Sequence, residues 1–134
     1  MKYQIIDDRL WDIANAEFGE SGGVYIIIGI NDGKPIPVNR LLGVDVQGIL
    51  YIGKANSFLD RVINLKKSVS PKYKGTSPEF GVRYKKHKRI QELYPPDSLY
   101  LELISTGNSE IEERKLLDEY YQAFGELPPM NRRM

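Results

Sequence analysis

The chain contains no cysteine, which excludes disulfides and thiolate metal sites together. Its longest apolar run, Val24 to Ile30, is far too short to cross a bilayer. The opening "MKYQIIDD" lacks the charged-then-apolar layout of a signal peptide, so a cytoplasmic protein with no membrane partner is expected. Internal repeats and low-complexity tracts are missing as well. What is present is ordinary for a globule: 134 residues, 28% charged and 41% hydrophobic. That length suits one domain over 1–134 whose core needs no staples.

The net charge of +1 conceals a segregation. Ten lysines and arginines lie from Arg61 to Arg89 against a single acid, Glu79, a surplus of nine positive charges. The rest of the chain therefore carries eight surplus acids. A charge run is commonly a solvated face, but a basic stretch on an otherwise acidic protein fits attraction to phosphate. Lys66, Lys67, Lys85, Lys86, His87, Lys88 and Arg89 are the candidates for a nucleic-acid track.

Pattern and punctuation give the elements. Ile6, Leu10, Ile13 and Phe18 sit near helical spacing and predict a helical lead-in over 3–18, broken by "GESGG". "VYIIIGI" is a strand whose lack of alternation predicts burial on both faces. The Gly- and Pro-rich residues 31–48 are read as a long hairpin connection to a second, antiparallel strand, "ILYIG". A helix follows Asn56, with Phe58, Leu59, Val62, Ile63 and Leu65 as its apolar stripe. Residues 68–81 are expected as loop and 82–94 as one basic helix stopped by "PP". "SLYLELI" alternates as a third strand, and 110–124 forms a last helix with Gly125 just past its end. The order ββααβα suggests a small mixed sheet flanked by helices.

Four features bear on chemistry. Ser109 and Glu112 have the layout of a capping box, which leaves Glu112 a structural task. Glu113 instead lies three, four and seven residues before Leu116, Leu117 and Tyr120, on the apolar side of its helix. A carboxylate there reaches water at the rim, pairs with an arginine, or meets a metal ion. Tyr25 and Tyr51 each stand beside a glycine in a strand, and a shared face would bring their hydroxyls together. Arg61, ten residues after Tyr51, and Asn131, just beyond "PP", read singly as a solvated helix residue and a loop residue.

In combination these residues resemble the GIY-YIG nuclease superfamily. The resemblance rests on "GVY" at 23–25, "YIG" at 51–53, Lys54, the ten-residue step to Arg61, a glutamate on the last long helix and "ELPPMN" ending in Asn131. It spans about 22–131, leaving 1–21 as the lead-in. It implies a compact α/β (α+β) domain, a small three-stranded antiparallel sheet flanked by helices, that hydrolyses DNA phosphodiesters with one divalent ion, Mg²⁺ or Mn²⁺. By the same resemblance Tyr25 and Tyr51 are the active-site tyrosines and Gly53 the glycine that lets substrate approach the backbone. Lys54 matches a lysine of some members, Arg61 the phosphate-binding arginine, Glu113 the metal ligand and Asn131 the terminal active-site asparagine.

The chemistry suits those residue types. An arginine offers a fork of donors to phosphate, and a carboxylate-held Mg²⁺ relieves charge on the departing oxygen. A phenol ionises near pH ~10, so Lys54 and Arg61 are expected to lower Tyr25 or Tyr51 enough for one of them to act as base. Leu65 departs from the family's histidine or tyrosine one turn after the arginine; His87, Tyr73 and Tyr84 are the candidates to replace it. The alternative reading is a nucleic-acid-binding module that keeps the scaffold with weakened or lost cleavage. A third is a structural protein with an incidental basic helix. DNA repair, mobile-element cutting, restriction and phage processing all stay open, with or without a partner chain for targeting.

Overall fold

The computed structural model describes residues 1–73 and 79–132. Its centre is β2 (Gly23–Asn31), hydrogen-bonded on one side to β6 (Ile49–Ala55) and on the other to β7 (Leu99–Ser105), antiparallel in both cases. The short β1 (Lys2–Gln4) extends the sheet beyond β7, and β3 (Lys34–Pro35) folds back on the end of β2. The protein is thus a mixed α+β domain on a small antiparallel sheet. The expected three strands undercount it: β1 is only three residues long and half-exposed, too short to print a period in the sequence.

Helices cover both faces of the sheet, which is why "VYIIIGI" does not alternate. On one face Tyr25, Ile27, Tyr51 and Leu101 pack against α1 (Leu10–Phe18), α2 (Phe58–Val69) and α3 (Glu79–Lys86). On the other, Val24, Ile26, Ile28 and Ile52 pack against Leu117 of α5 (Ser109–Phe124). A bulge between Ile27 and Ile28 leaves Leu50 as an extra residue opposite them, so that Leu50 and Tyr51 join the same apolar cluster. α2 starts where the Ser57 hydroxyl accepts from the Asp60 amide, and Phe58, Val62, Leu65 and Val69 supply its buried stripe.

Several sequence expectations are revised. The lead-in over 3–18 is a strand, a turn and then a helix beginning only at Leu10, because Tyr3 pairs with Leu101 of the sheet. The basic segment 82–94 is two helices, α3 and α4 (Lys88–Leu93), separated by extended backbone at His87. α3 begins earlier than expected, at Glu79; the middle of the predicted 68–81 loop, residues 74–78, lies outside the described residues. The capping box of Ser109 and Glu112 is not used: the Asn108 side chain accepts from the Ile111 amide, and Ser109 is already helical. Gly125 ends α5 in the left-handed region at φ 73°, as expected. No described helix is long and apolar enough to cross a membrane.

The connection 31–48 is built rather than slack. β4 (Val38–Arg40) and β5 (Gly43–Asp45) form a hairpin tied to the end of α5: Arg40 donates to the Leu127 carbonyl, and the Leu41 amide donates to Glu126. The Asp45 carboxylate, 1% exposed, accepts from the amides of Gln47 and Ile49 and from the Tyr120 hydroxyl at 2.9–3.0 Å. Removing it leaves three donors without their partner, among them the buried Tyr120 hydroxyl. Asp45→Ala is expected to lower unfolding free energy by roughly 3 kcal/mol, as read from urea denaturation. A loss below about 1 kcal/mol would contradict this reading of the hairpin.

Candidate active site

The register of β2 against β6 decides where the tyrosines meet. Tyr25 lies directly opposite Gly53, and Tyr51 opposite Ile27, so the two phenols occupy one face as diagonal neighbours. Their ring centroids are 5.9 Å apart. A Cβ at residue 53 would fall 2.6 Å from the Tyr25 hydroxyl and 2.7 Å from the Tyr51 ring. Only glycine fits beneath the pair. In this structure Gly53 makes room for two phenols of the chain itself, whatever further approach it permits to a substrate.

Helices then close around the rings. Arg61, half-buried in the second turn of α2, holds its guanidinium 5.6 Å from the Tyr25 ring centre. Phe80, fully buried at the start of α3, meets Tyr51 edge-on at 5.9 Å and stacks on Tyr84 at 5.6 Å. Phe80 brings with it a residue that sequence reasoning missed as part of the site. Glu79 accepts a long hydrogen bond of 3.4 Å from the Tyr51 hydroxyl, and its other oxygen lies 3.7 Å from Nε of Arg132. The one signal for Glu79 in the sequence is its isolation as the only acid among ten basic residues.

Glu113 projects from the first half of α5 and is half-buried. Burial raises its carboxyl above the ordinary value; Lys54 opposes that shift, whereas Glu110 and Glu79 reinforce it. The charges of Glu113 and Glu79 both reach the phenols and raise them. Lys54 is exposed and alternates with Gly53 along β6, so it belongs to the opposite face from the tyrosines. Its charge acts on Glu113.

Arg61 pulls Tyr25 down as expected, but neither it nor Lys54 brings a phenol below its ordinary value. Burial dominates at Tyr25, which is pushed up to about 12 even though Arg61 and the Tyr51 hydroxyl pull it down. Tyr51 is raised further, first by burial and then by the charges of Tyr25 and Glu79. Neither ring is a phenolate near neutrality. Both hydroxyls enter any reaction as neutral groups.

The remaining candidates fall into place one by one. Asn131 is nearly buried, and its side chain pairs with the free edge of β6, accepting from the Ile52 amide at 3.0 Å and donating to the Ile52 carbonyl at 2.9 Å. Leu65 is fully buried in the core. Tyr84 donates its hydroxyl to the Tyr94 carbonyl at 2.7 Å, Tyr73 is at the surface beside Lys67, and His87 is exposed between α3 and α4. None of the three is placed beside Arg61 by a recorded contact. Lys66 pairs with Asp8 at 2.7 Å and Arg89 with Glu92 at 3.2 Å. Lys85 bonds the Tyr73 carbonyl, while Lys67, Lys86 and Lys88 are exposed. Arg83 holds the Pro129 carbonyl, fixing the tail that carries Asn131.

Two outcomes are expected. Gly53→Ala forces a methyl group into the Tyr25 phenol and costs about 2 kcal/mol in thermal or chemical unfolding, before any substrate is present. If stability is unchanged, the glycine does not serve the tyrosine pair. The second concerns pH. A phenol that ionises near 10 when unfolded and about 12 when folded makes the native state lose stability as pH rises through that window. In absorbance titrations at ~295 nm, Tyr25→Phe and Tyr51→Phe leave the part of the curve below pH ~11 unchanged. A phenol titrating near neutrality and lost in either variant would contradict the burial account.

No family model, curated protein or solved structure matches this chain.

Proposed function

We propose that the protein is a metal-dependent DNA endonuclease of the GIY-YIG kind, hydrolysing one phosphodiester at the Tyr25–Tyr51–Arg61 face. The observation that carries the reading is a guanidinium seated over Tyr25 with no carboxylate in ion-pair distance among the described residues. A half-buried arginine held by an aromatic ring and left without an anion suits a phosphate oxygen pair. Beside it are two neutral hydroxyls that can orient a water by hydrogen bonds.

Glu113 is the residue to hold Mg²⁺ or Mn²⁺. Burial disfavours its charge, and a bound cation compensates it. Among the described residues no three acidic or imidazole groups gather as a cage, so the mode that fits is one carboxylate with water filling the remaining positions. When bound, such an ion supplies charge relief at the departing oxygen. Arg61 grips the phosphoryl oxygens, Tyr25 fixes Arg61 from below, and Asn131 keeps the edge of β6 in register under both tyrosines. The exposed Lys67, Lys86 and Lys88, with His87 between α3 and α4, provide attraction for flanking phosphates.

One observation favours the binding-module alternative: Leu65 is core, so no imidazole or hydroxyl stands one turn after Arg61. Incubation with supercoiled, linear, branched and single-stranded DNA separates the two. The endonuclease gives a nick with Mg²⁺ or Mn²⁺ that EDTA abolishes. Glu113→Ala removes the cut while DNA binding stays within a few-fold, and Arg61→Ala slows it by about 10²–10³. Binding weakens with salt with a log–log slope of about −3 to −5, from three to five phosphate contacts. Salt-sensitive binding with no cut at high enzyme concentration leaves the module reading in its place.

A further inference from the structure

Burial leaves the proposed nuclease with a difficulty: two phenols that hold their protons firmly cannot serve as bases by losing them beforehand. The residue set against Tyr51 offers a way round it. α3 begins at Glu79, and the next residue, Phe80, is locked in the core against Tyr51, so backbone geometry aims Glu79 at the Tyr51 hydroxyl. The contact is 3.4 Å, the loose geometry common to catalytic hydrogen bonds before substrate arrives. Tyr51 keeps 7% of its surface exposed against 1% for Tyr25, so it is the less buried of the two phenols. Arg132, the other partner of Glu79, is more than half-exposed and 3.7 Å away, a weak tie.

Resting on the endonuclease reading, we propose that Glu79 is a positioning residue that accepts the proton of Tyr51 as Tyr51 takes one from the attacking water. The balance is complete with groups of the chain and solvent. The water oxygen forms the new bond to phosphorus while the bond from phosphorus to the departing oxygen breaks. One water proton passes to the Tyr51 oxygen, and the hydroxyl proton of Tyr51 passes to Glu79. The departing oxygen keeps the bonding pair and takes a proton from solvent; Glu79 later returns its own to solvent. No free phenolate forms at any point. Glu79 thereby supplies the proton-accepting partner that Leu65 cannot.

The groups facing this pair are Tyr25 from β2, Arg61 from α2, Glu113 from α5 and Arg132 from the tail, while Arg83 of α3 itself is turned to the Pro129 carbonyl. The relay therefore works between the Glu79 carboxylate and a hydroxyl kept neutral by burial.

Single-turnover cleavage of end-labelled DNA with Mg²⁺ tests this in the full chain, comparing wild type with Glu79→Gln, Glu79→Asp and Arg132→Ala. Glu79→Gln is expected to cut about 10²-fold more slowly at unchanged KM, and Glu79→Asp to recover part of the loss. Its rate climbs with hydroxide, about tenfold per pH unit between pH ~6.5 and ~8.5, where the wild-type rate is level. Arg132→Ala, which loses only the weak tie, stays within a few-fold of wild type. In protein carrying ¹³C at tyrosine Cζ, the Tyr51 resonance moves in Glu79→Gln, showing that the folded variant has lost the contact. Glu79→Gln cutting at the wild-type rate with the wild-type pH profile overturns the relay and leaves the nuclease intact. An equal loss in Arg132→Ala overturns it too, since Glu79 then acts by clipping the tail. Wild type that cuts no DNA under any metal condition brings down the nuclease reading itself, and the relay with it.

Discussion

The Tyr25 phenol occupies the space above residue 53, and that single exclusion organises the rest of the site. With glycine at 53 the ring can lie flat against β6 and reach Tyr51; with any side chain it must move. Tyr51 then presents an edge to Phe80, which seats the first turn of α3, and Tyr25 presents a face to Arg61 from α2. Two successive helices are thus positioned by one strand pair. The register of β2 against β6 is held from outside by Asn131, whose amide side chain bonds both polar groups of Ile52 at the free edge. A slip of β6 by one residue would turn Tyr51 to the α5 face, away from Tyr25.

Packing of this kind has an electrostatic consequence. Rings buried deeply enough to anchor helices are rings whose charged forms are disfavoured, and at Tyr25 a neighbouring arginine does not outweigh burial. Reactivity in such a site must come from exchange of protons between neutral or already charged partners. In the proposed nuclease the carboxylates carry that burden: Glu113, raised by its own burial, suits compensation by a metal ion, while Glu79 lies against the less buried phenol. The charge of Glu79 adds to the rise at Glu113. In the proposed nuclease the basic residues outside the site serve as field and track for the substrate, although several are already engaged by Asp8, Glu92 or main-chain carbonyls.

How much of this was legible in the sequence follows from periodicity and distance. β2, β6, β7, α2 and α5 are long enough to print their period, and all were readable with their order. β1, at three residues, was not, and a break at one exposed residue, His87, leaves no mark in an otherwise helical run. The shared face of Tyr25 and Tyr51 could be conceived from the strand pairing but depends on register, which coordinates alone supply. Alternation along β6 already separated Lys54 from Gly53, a consequence of the two-residue repeat that chain proximity obscures. Glu79 meets Tyr51 across 28 positions, a tertiary contact with no local signature beyond an acid alone among bases. Burial, and with it the upward displacement of both phenols, has no expression in residue order at all.

The central claim is that the paired tyrosines, Arg61 and a metal-holding Glu113 serve one site. Paramagnetic broadening by Mn²⁺ tests it without requiring cleavage, in protein labelled at the tyrosine rings and bound to a non-hydrolysable phosphorothioate DNA. The account predicts that Tyr25 and Tyr51 signals broaden at the lowest Mn²⁺ concentrations, ahead of the other seven tyrosines, and that Glu113→Gln abolishes the preference. Broadening that starts elsewhere, or that persists unchanged without the Glu113 carboxylate, would contradict it.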